Sequence, residues 1–358
     1  MTRDRADGCR GSTADVPVPQ SDPRFAGTSA WAQARALAGP RSRTERTKAR
    51  RYRTRRVFNA VVTIVIAAGA ATTSTQLSAA SPTAGGVGLL VCAGVVVVGI
   101  RRVLADSRLV NQATSAARRL ASVARSAFAD VDEPVAGALL ASDNGHGDVG
   151  YWMALALTRR RTAAALVQLS GRQCWWHDVQ LHADPAITFD HVGVGDSGVV
   201  IVHDLLMSTQ HRLTVDGVHG LSYAGYPIGG SGAAPFMSWQ MRAASTVARA
   251  AGLPLSTVTS IALVANAELI DEWGARTEIE QLRHTEGLVG LTYGTAPQLA
   301  AALVTDCHLE ADVVALALQE LAEAIEPNVD NVLSHPSAGR ARSVRRRDRW
   351  SYLEARHG

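Results

Sequence analysis

Two long uncharged stretches dominate the hydrophobic and polar pattern of the chain. Residues 57–77 (VFNAVVTIVIAAGAATTSTQL) and residues 83–100 (TAGGVGLLVCAGVVVVGI) contain no charged side chain. Each approaches the roughly 20 residues that a helix needs to cross a bilayer. Because the segment between them is too short for a domain, the pattern predicts a two-helix transmembrane hairpin over residues 57–102. The many Gly and Val residues of the second helix favour close packing against the first.

The segments flanking this hairpin have different patterns. Residues 1–56 are polar with little periodicity, which predicts a disordered basic tail. Apolar residues recur at near-helical spacing from Val103 to Val131, so we expect a helical stalk and linker over residues 103–145. The last segment, residues 331–358, is a basic C-terminal tail.

The region between the stalk and the C-terminal tail alternates between helical and strand periodicity, which predicts an α/β domain over residues 146–330. Asp216-Gly217 between two alternating runs is a hairpin signal. We predict strands at 174–181, 187–194, 198–203 and 260–265, and helices at 151–170, 235–251, 295–304 and 309–325.

Charge is concentrated outside the apolar segments. The formal net charge is +4, but basic side chains cluster over Arg41–Arg56 and again over Arg340–Arg349. Arginines flank both apolar spans, and the loop between the spans has none, so the positive-inside rule predicts that both termini are cytoplasmic. We therefore expect a two-pass protein of the plasma (inner) membrane without a secretory signal. Membrane lipids are the expected partners and nucleic acid is a possible one, while protein partners are unknown.

Cysteine and histidine spacing is uninformative about metal sites. The four cysteines show no paired spacing, so we expect neither a disulfide framework nor a cysteine zinc site. Six histidines between 177 and 219 match no standard ligand set, although folding could assemble a site from them. Polar residues at strand ends are the simpler interpretation.

The glycine-rich run 193–198 fits two motifs superficially. It matches the dinucleotide pattern GxGxxG, but a β-branched strand follows it instead of the helix that would hold a pyrophosphate. Gly195-Asp-Ser-Gly198 is also similar to a protease nucleophile loop, yet Val199 follows where a second glycine helps shape such loops. We predict a tight turn between two strands.

The order of these elements resembles a known family. The resemblance rests on four runs, Arg160–Leu166, Trp176–Val179, Phe189–Gly195 and Ser197–Val202. Together they resemble the nuclease-related domain (NERD) family over residues 150–270. The helix predicted from Pro235 and the following strand look like the family's later helix and strand. The resemblance implies a restriction-endonuclease-like central sheet flanked by helices, with carboxylates holding a divalent metal for phosphodiester cleavage.

Residue by residue, this chain departs from the family pattern. The helix Glu of the pattern falls on Arg159, the strand Asp is retained as Asp190, the second acid falls on His203 and the lysine on Leu205. Asp190 is thus the retained catalytic acid, and the metal candidates are Asp190, His203 and Asp204. Since neighbouring strand residues point to opposite faces, we expect Asp204 to aim away from Asp190.

Three interpretations follow. The first is a membrane-anchored, cytoplasm-facing nuclease-related protein that is catalytically degenerate and serves a binding or scaffolding role. The second is an active metal-dependent nuclease with a site rearranged around Asp190, His203 and Asp204. The third is a structural membrane protein with an unrelated α/β module. A divalent metal is implied only if the domain is active.

Overall fold

The computed structural model divides the chain into two compact units, residues 35–127 and the combination of residues 1–34 with 128–358. The structure describes residues 22–80, 82–127, 133–140, 147–169, 173–182, 184–216, 220–223, 226–227, 236–271, 290–294, 299, 303 and 307–328. The predicted basic C-terminal tail lies outside these residues, and so does most of the helix predicted at 295–304.

Two long helices form the unit 35–127 and pair side by side in opposite directions. Helix α1 spans Thr28–Ala80 and helix α2 spans Pro82–Arg125. The Ser42 hydroxyl donates to the Ala117 carbonyl (3.1 Å), and farther along the pair Asn59 donates to the Asp106 carboxylate (2.6 Å). The prediction that residues 1–56 are disordered is wrong for residues 28–56, which are helical; residues 1–21 lie outside the described part of the chain.

The seam between the two helices follows a seven-residue repeat. On α1 the repeat includes Ala38, Ser42, Glu45 and Ala49, and on α2 Val110, Ala113, Ala117 and Leu120, all of them buried. Such spacing keeps one stripe facing a partner helix, and the small side chains allow a close approach. The helical stalk predicted after residue 102 is therefore half of a longer paired structure, because residues 103–125 continue α2 without a break.

Both helices are long and apolar enough to cross a membrane, judged by length and composition. Their apolar segments expose large side chains such as Phe58 (65%), Ile64 (67%) and Leu90 (75%). Exposure on this scale is unfavourable in water and favourable in lipid. By length, composition and exposed apolar surface, both helices are candidate membrane spans.

The second unit is a mixed α/β domain. Its helices are α3 (Glu133–Leu140), α4 (Gly147–Leu169), α5 (Phe236–Ala250) and α6 (Ala311–Ala324). Its strands are β1 (Cys174–Leu181), β2 (Asp184–Gly195), β3 (Gly198–Asp216), β4 (Gly220–Tyr223), β5 (Tyr226–Pro227), β6 (Val258–Asp271), β7 (Gly290–Gly294) and β8 (Ile325–Pro327). The predicted strands at 174–181, 187–194, 198–203 and 260–265 are confirmed, although β3 and β6 run well beyond their predicted ends.

Among the described residues, one eight-stranded sheet organises this domain. Strands β8, β1, β2 and β3 are adjacent and antiparallel, while β6 lies parallel to β3 and β7 parallel to β6. The far end of β3 also pairs with β4 through the predicted hairpin at Asp216. Because β3 and β6 are parallel neighbours, the chain between them must cross over the sheet, and α5 lies in that crossover.

Helices cover both faces of the sheet. One face carries the larger core, in which Phe189, Ile201 and Val247 of α5 are fully buried and α6 contributes Leu321. The other face packs against α4 through Leu166, which contacts a cluster containing Val200 and Val202. Residues 200 and 202 therefore face α4 while residue 201 faces α5, the alternation expected of a regular strand.

The turn between β2 and β3 is the tight turn predicted from the glycine-rich run. Gly195 pairs with Gly198, so only two residues connect the strands. Gly198 has φ of +90°, and a Cβ there would lie 2.3 Å from the Thr257 carbonyl oxygen. Glycine alone satisfies both the conformation and the close approach.

Candidate functional site

A buried arginine bridges two carboxylates on the α4 side of the sheet. Arg159 of α4 forms an ion pair with Asp190 of β2, and a second guanidinium nitrogen lies 3.7 Å from Asp178 of β1. Only 13% of the Arg159 side chain is exposed. Burial lowers the pKa of Arg159, but the nearby carboxylates of Asp190, Asp178 and Asp204 outweigh burial and raise it. The arginine is therefore a permanent cation within this acidic cluster.

Asp190, the acid that the family resemblance singles out, is held by this cation and by the backbone. One oxygen contacts Arg159, and the other accepts the backbone N–H of Asp204 (2.8 Å). Burial raises the pKa of Asp190 to about 6, Asp204 adds to the rise, and Arg159 and His191 oppose it. Both carboxylate oxygens are thus engaged inside the protein.

A chain of buried polar groups extends from Asp204. Its carboxylate accepts from the Thr162 hydroxyl of α4 (2.7 Å) and lies 2.8 Å from Nε2 of His191. The other nitrogen of His191, Nδ1, lies 2.9 Å from Nδ1 of His177. Burial, and then the neighbouring His191, lower the pKa of His177 to about 2, so this ring is neutral. The four groups form one continuous hydrogen-bonded network closed to solvent.

His203 lies on the opposite face of the sheet. Its ring packs against Trp239 of α5, with centroids 4.4 Å apart, and stacks near Phe189 at 6.2 Å. Burial, with contributions from His191 and Arg159, lowers its pKa to about 3. Of the three metal candidates, the structure therefore brings Asp190 and Asp204 together and places His203 elsewhere.

The prediction that Asp204 aims away from Asp190 is wrong, and an irregularity in the strands explains why. Phe189 and Val192 both face the α5 core, yet the two residues between them, Asp190 and His191, both face α4. On the adjacent strand, Asp178 has φ of +55°, outside normal strand conformation. Strict alternation fails where two consecutive residues share a face.

Asp178 is the site residue that sequence reasoning did not single out. Its carboxylate accepts from the hydroxyls of Thr28 (2.9 Å) and Ser29 and from the Ser29 backbone N–H. The amide of Asn328 also donates to it (3.3 Å). A carboxylate at the start of a helix satisfies free N–H groups and interacts favourably with the helix dipole, so Asp178 caps α1. The available signal was an acid in the middle of a predicted strand, next to His177.

The residues present do not fit a divalent metal. Hard cations need several carboxylate oxygens open to them, whereas here a guanidinium already occupies the space beside Asp190. Within the described ranges, no group of three or more His, Cys, Asp or Glu side chains is arranged to hold a metal ion. What this arrangement does chemically is neutralise buried charge and join β1, β2, β3 and α4.

Cys174, at the start of β1, departs from the sequence expectation because it is disulfide-bonded. Cys92 and Cys307 are free thiols.

Comparison with known proteins gives no relative. No protein-family model matches the chain, and neither a curated protein nor a solved structure shows significant similarity to it.

Proposed function

We propose that this protein is a membrane-anchored, cytoplasm-facing member of the nuclease-related class whose α/β domain has lost catalysis and serves a binding or scaffolding role. The ion pair between Arg159 and Asp190 carries the proposal. It sits where the family pattern needs a glutamate and an aspartate to share a metal. A fixed guanidinium supplies the positive charge that a metal would bring, without a coordination site for water or phosphate.

The order of elements supports the restriction-endonuclease-like interpretation. Helix α4 precedes three adjacent antiparallel strands, and then α5 crosses to β6, parallel to β3. This is the helix, strand, later helix and strand order on which the resemblance rests. Because Asp204 rather than His203 faces Asp190, it takes the position of the second acid. Leu206 is two residues after Asp204 in β3 and is therefore expected on the same face of the sheet, so it takes the position of the lysine in the family pattern.

The charge requirements of phosphodiester cleavage explain the loss of activity. A metal stabilises charge on the phosphate, and a nearby lysine helps to polarise the attacking water. Arg159 repels the metal from the acids, and the aliphatic side chain of Leu206 cannot polarise water. The two retained acids are then structural groups within the network.

Restoring the pattern tests the proposal. In Arg159→Glu/Leu206→Lys, the added carboxylate should join Asp190 and Asp204, and calorimetry should detect Mg²⁺ or Mn²⁺ binding that the unaltered protein lacks. The matched control is Arg161→Glu/Leu206→Lys, since Arg161 is on the same helix but exposed. A folded restored variant that binds no metal would contradict the nuclease-related assignment.

An active enzyme is the competing candidate, favoured by the proximity of Asp190 and Asp204. Its signature is metal-dependent cleavage of DNA or RNA by the unaltered full-length protein, abolished by Asp190→Asn. That result would replace the degenerate interpretation with the rearranged site.

The proposed orientation rests on the arginines that flank the apolar segments. Reporter fusions should place the C-terminus in the cytoplasm and a reporter at Ser81 outside. A C-terminal reporter active only outside would reverse the proposed orientation.

A further inference from the structure

Residues 35–127 carry a charge quite unlike that of the rest of the protein. They contain 16 Lys and Arg residues and two acids, a formal charge of +14. Residues 128–330 contain nine Lys and Arg residues and 24 Asp and Glu residues, a formal charge of −15. The modest overall value of +4 hides this separation.

The positive charge of the paired helices is not neutralised at their surface. Both acids are buried: Glu45 is 5% exposed and paired with Lys48, and Asp106 is 3% exposed, bonded to Asn59 and 3.5 Å from Arg55, so the two acids offset only two of the basic side chains. The basic side chains flanking the apolar segments are mostly exposed: Arg35, Arg43, Arg46, Lys48, Arg50, Arg51, Arg53, Arg55, Arg101, Arg102, Arg108, Arg118, Arg119 and Arg125. The surface of this unit beyond the apolar segments thus offers only cationic groups to a charged partner.

Four of these arginines form what we name the distal belt: Arg43, Arg46, Arg118 and Arg119. They lie at one level of the helix pair, because the hydrogen bond from Ser42 to Ala117 fixes the register there. All four are exposed, and they come from both helices. A guanidinium presents a planar fork of donors that suits phosphate oxygens.

The distal belt is too far from the apolar segments to serve lipid headgroups. At about 1.5 Å per residue, its members lie about 16 to 28 Å beyond Val57 or Ile100 along the helices. A headgroup layer of about 6 Å and a screening length of about 8 Å together reach only about 14 Å. A typical tilt of about 20° shortens the separation by less than about a tenth.

We propose that the distal belt is a sequence-independent binding site for the phosphate backbone of nucleic acid. The inference rests on the membrane anchoring proposed above, since that anchoring puts the belt beyond the reach of lipid. Nucleic acid is the polyanion that extends far enough from a membrane and carries enough charge, about one per 1.7 Å of duplex, to engage all four guanidinium groups. The negative charge of residues 128–330 disfavours phosphate binding on that domain.

The test uses the full-length protein in nanodiscs of neutral lipid, with fluorescein-labelled 30-base-pair duplex DNA and a 30-nucleotide RNA as probes. Fluorescence anisotropy should show binding that weakens on the order of 10²-fold between 50 and 200 mM salt, for about four phosphate contacts. The quadruple variant with glutamine at the distal belt, R43Q/R46Q/R118Q/R119Q, should lose this binding, and its salt slope should fall by about three to four.

A matched variant removes the same charge beside the apolar segments. R51Q/R53Q/R101Q/R102Q should keep most of the affinity for both probes, and exchanging neutral for anionic lipid should leave binding by the unaltered protein within about twofold. Equal loss in both variants, or displacement of the probes by anionic lipid, would overturn the distal belt as the site. Flotation of each variant with liposomes reports anchoring separately from nucleic-acid binding.

Discussion

At the residue scale, one cation balances several acids. Arg159 is the only basic side chain that the described contacts place against both Asp190 and Asp178. Removing one partner of a buried ion pair leaves an uncompensated charge in a poorly solvated place, which costs more than the pair contributes. The carboxylates of this network therefore depend on a single guanidinium.

Replacing that guanidinium should destabilise the domain severely. We expect Arg159→Met to lower the free energy of unfolding by about 3–5 kcal/mol. Adding Asp190→Asn should recover part of the loss, because the neutral amide no longer needs a cation. Chemical denaturation measures both, with Arg161→Met on the exposed face of α4 as the control. If Arg159→Met were as stable as the unaltered protein, the carboxyl groups of Asp190 and Asp178 would have to be neutral when the guanidinium is absent.

Two buried neutral histidines should make the domain sensitive to acid. His203 in the unfolded chain takes up a proton near pH 6.5, but in the folded domain its pKa is about 3. The unfolded state therefore binds more protons as the pH falls below 6.5, and stability should fall on the order of 1.4 kcal/mol per pH unit from this residue. His177, with a pKa of about 2, acts in the same direction.

His203→Phe isolates one of these contributions. Phenylalanine keeps the ring between Phe189 and Trp239 but cannot titrate. The difference in unfolding free energy between the two proteins should grow as the pH falls from 6.5 to 4. Asp190 shifts the pH dependence in the opposite direction, but it is common to both proteins and cancels. Parallel stability curves over this range would show that the folded domain protonates His203 as readily as the unfolded chain does.

At the element scale, sequence periodicity predicted strands better than it predicted α1. The bounds of β1 agree because the compact run Cys174–Leu181, with its two tryptophans, has turn-forming and polar residues on both sides. The helix over residues 28–56 was not predicted from the sequence. The buried positions of its seam with α2 are occupied by Ala, Ser and Glu, which do not produce a pattern of large apolar residues. The two-residue period of a regular strand predicted Asp190 and Asp204 on opposite faces of the sheet. That prediction was wrong because the period cannot show the strand irregularity at Asp178.

The seam inside the apolar segments depends on close contact at one glycine. A Cβ on Gly99 would lie 2.1 Å from the methyl carbon of Thr63, a stiff β-branched side chain. Gly99→Val should therefore push α1 and α2 apart and lower the stability of the hairpin by about 1–3 kcal/mol. The matched control is Gly94→Val, where an added Cβ meets nothing within 4 Å. Thermal unfolding in micelles followed by circular dichroism compares them; equal melting would place the contact elsewhere.

At the scale of the whole molecule, the α/β domain is discontinuous in sequence. Residues 22–34 belong to it, although the hairpin separates them from the rest. Gly27, with φ of +83°, comes so close to α4 that a Cβ there would lie 2.5 Å from the Ala156 carbonyl oxygen. The sequence could not indicate this, because Thr28 and Ser29 find their partner, Asp178, about 150 residues away.

A fragment beginning after the hairpin should therefore be incomplete. We expect residues 128–330 alone to melt at a lower temperature than the same fragment with a peptide of residues 22–34, because the peptide supplies the partners of Asp178. A peptide with Thr28→Val and Ser29→Ala should give less stabilisation. Scanning calorimetry measures the shift, and identical melting with and without the peptide would show that the domain is complete after residue 128.

The link between Ser29 and Asp178 also sets an order of events during synthesis. The ribosome releases residues 22–34 first, then both apolar helices, and only later the strand that holds their partner. In the membrane-anchored protein proposed above, the hairpin thus enters the translocation machinery while the sheet does not yet exist. Under the same proposal, the first turn of α1 waits on the side where the α/β domain will form, and its capture by Asp178 marks the completion of both folding and insertion.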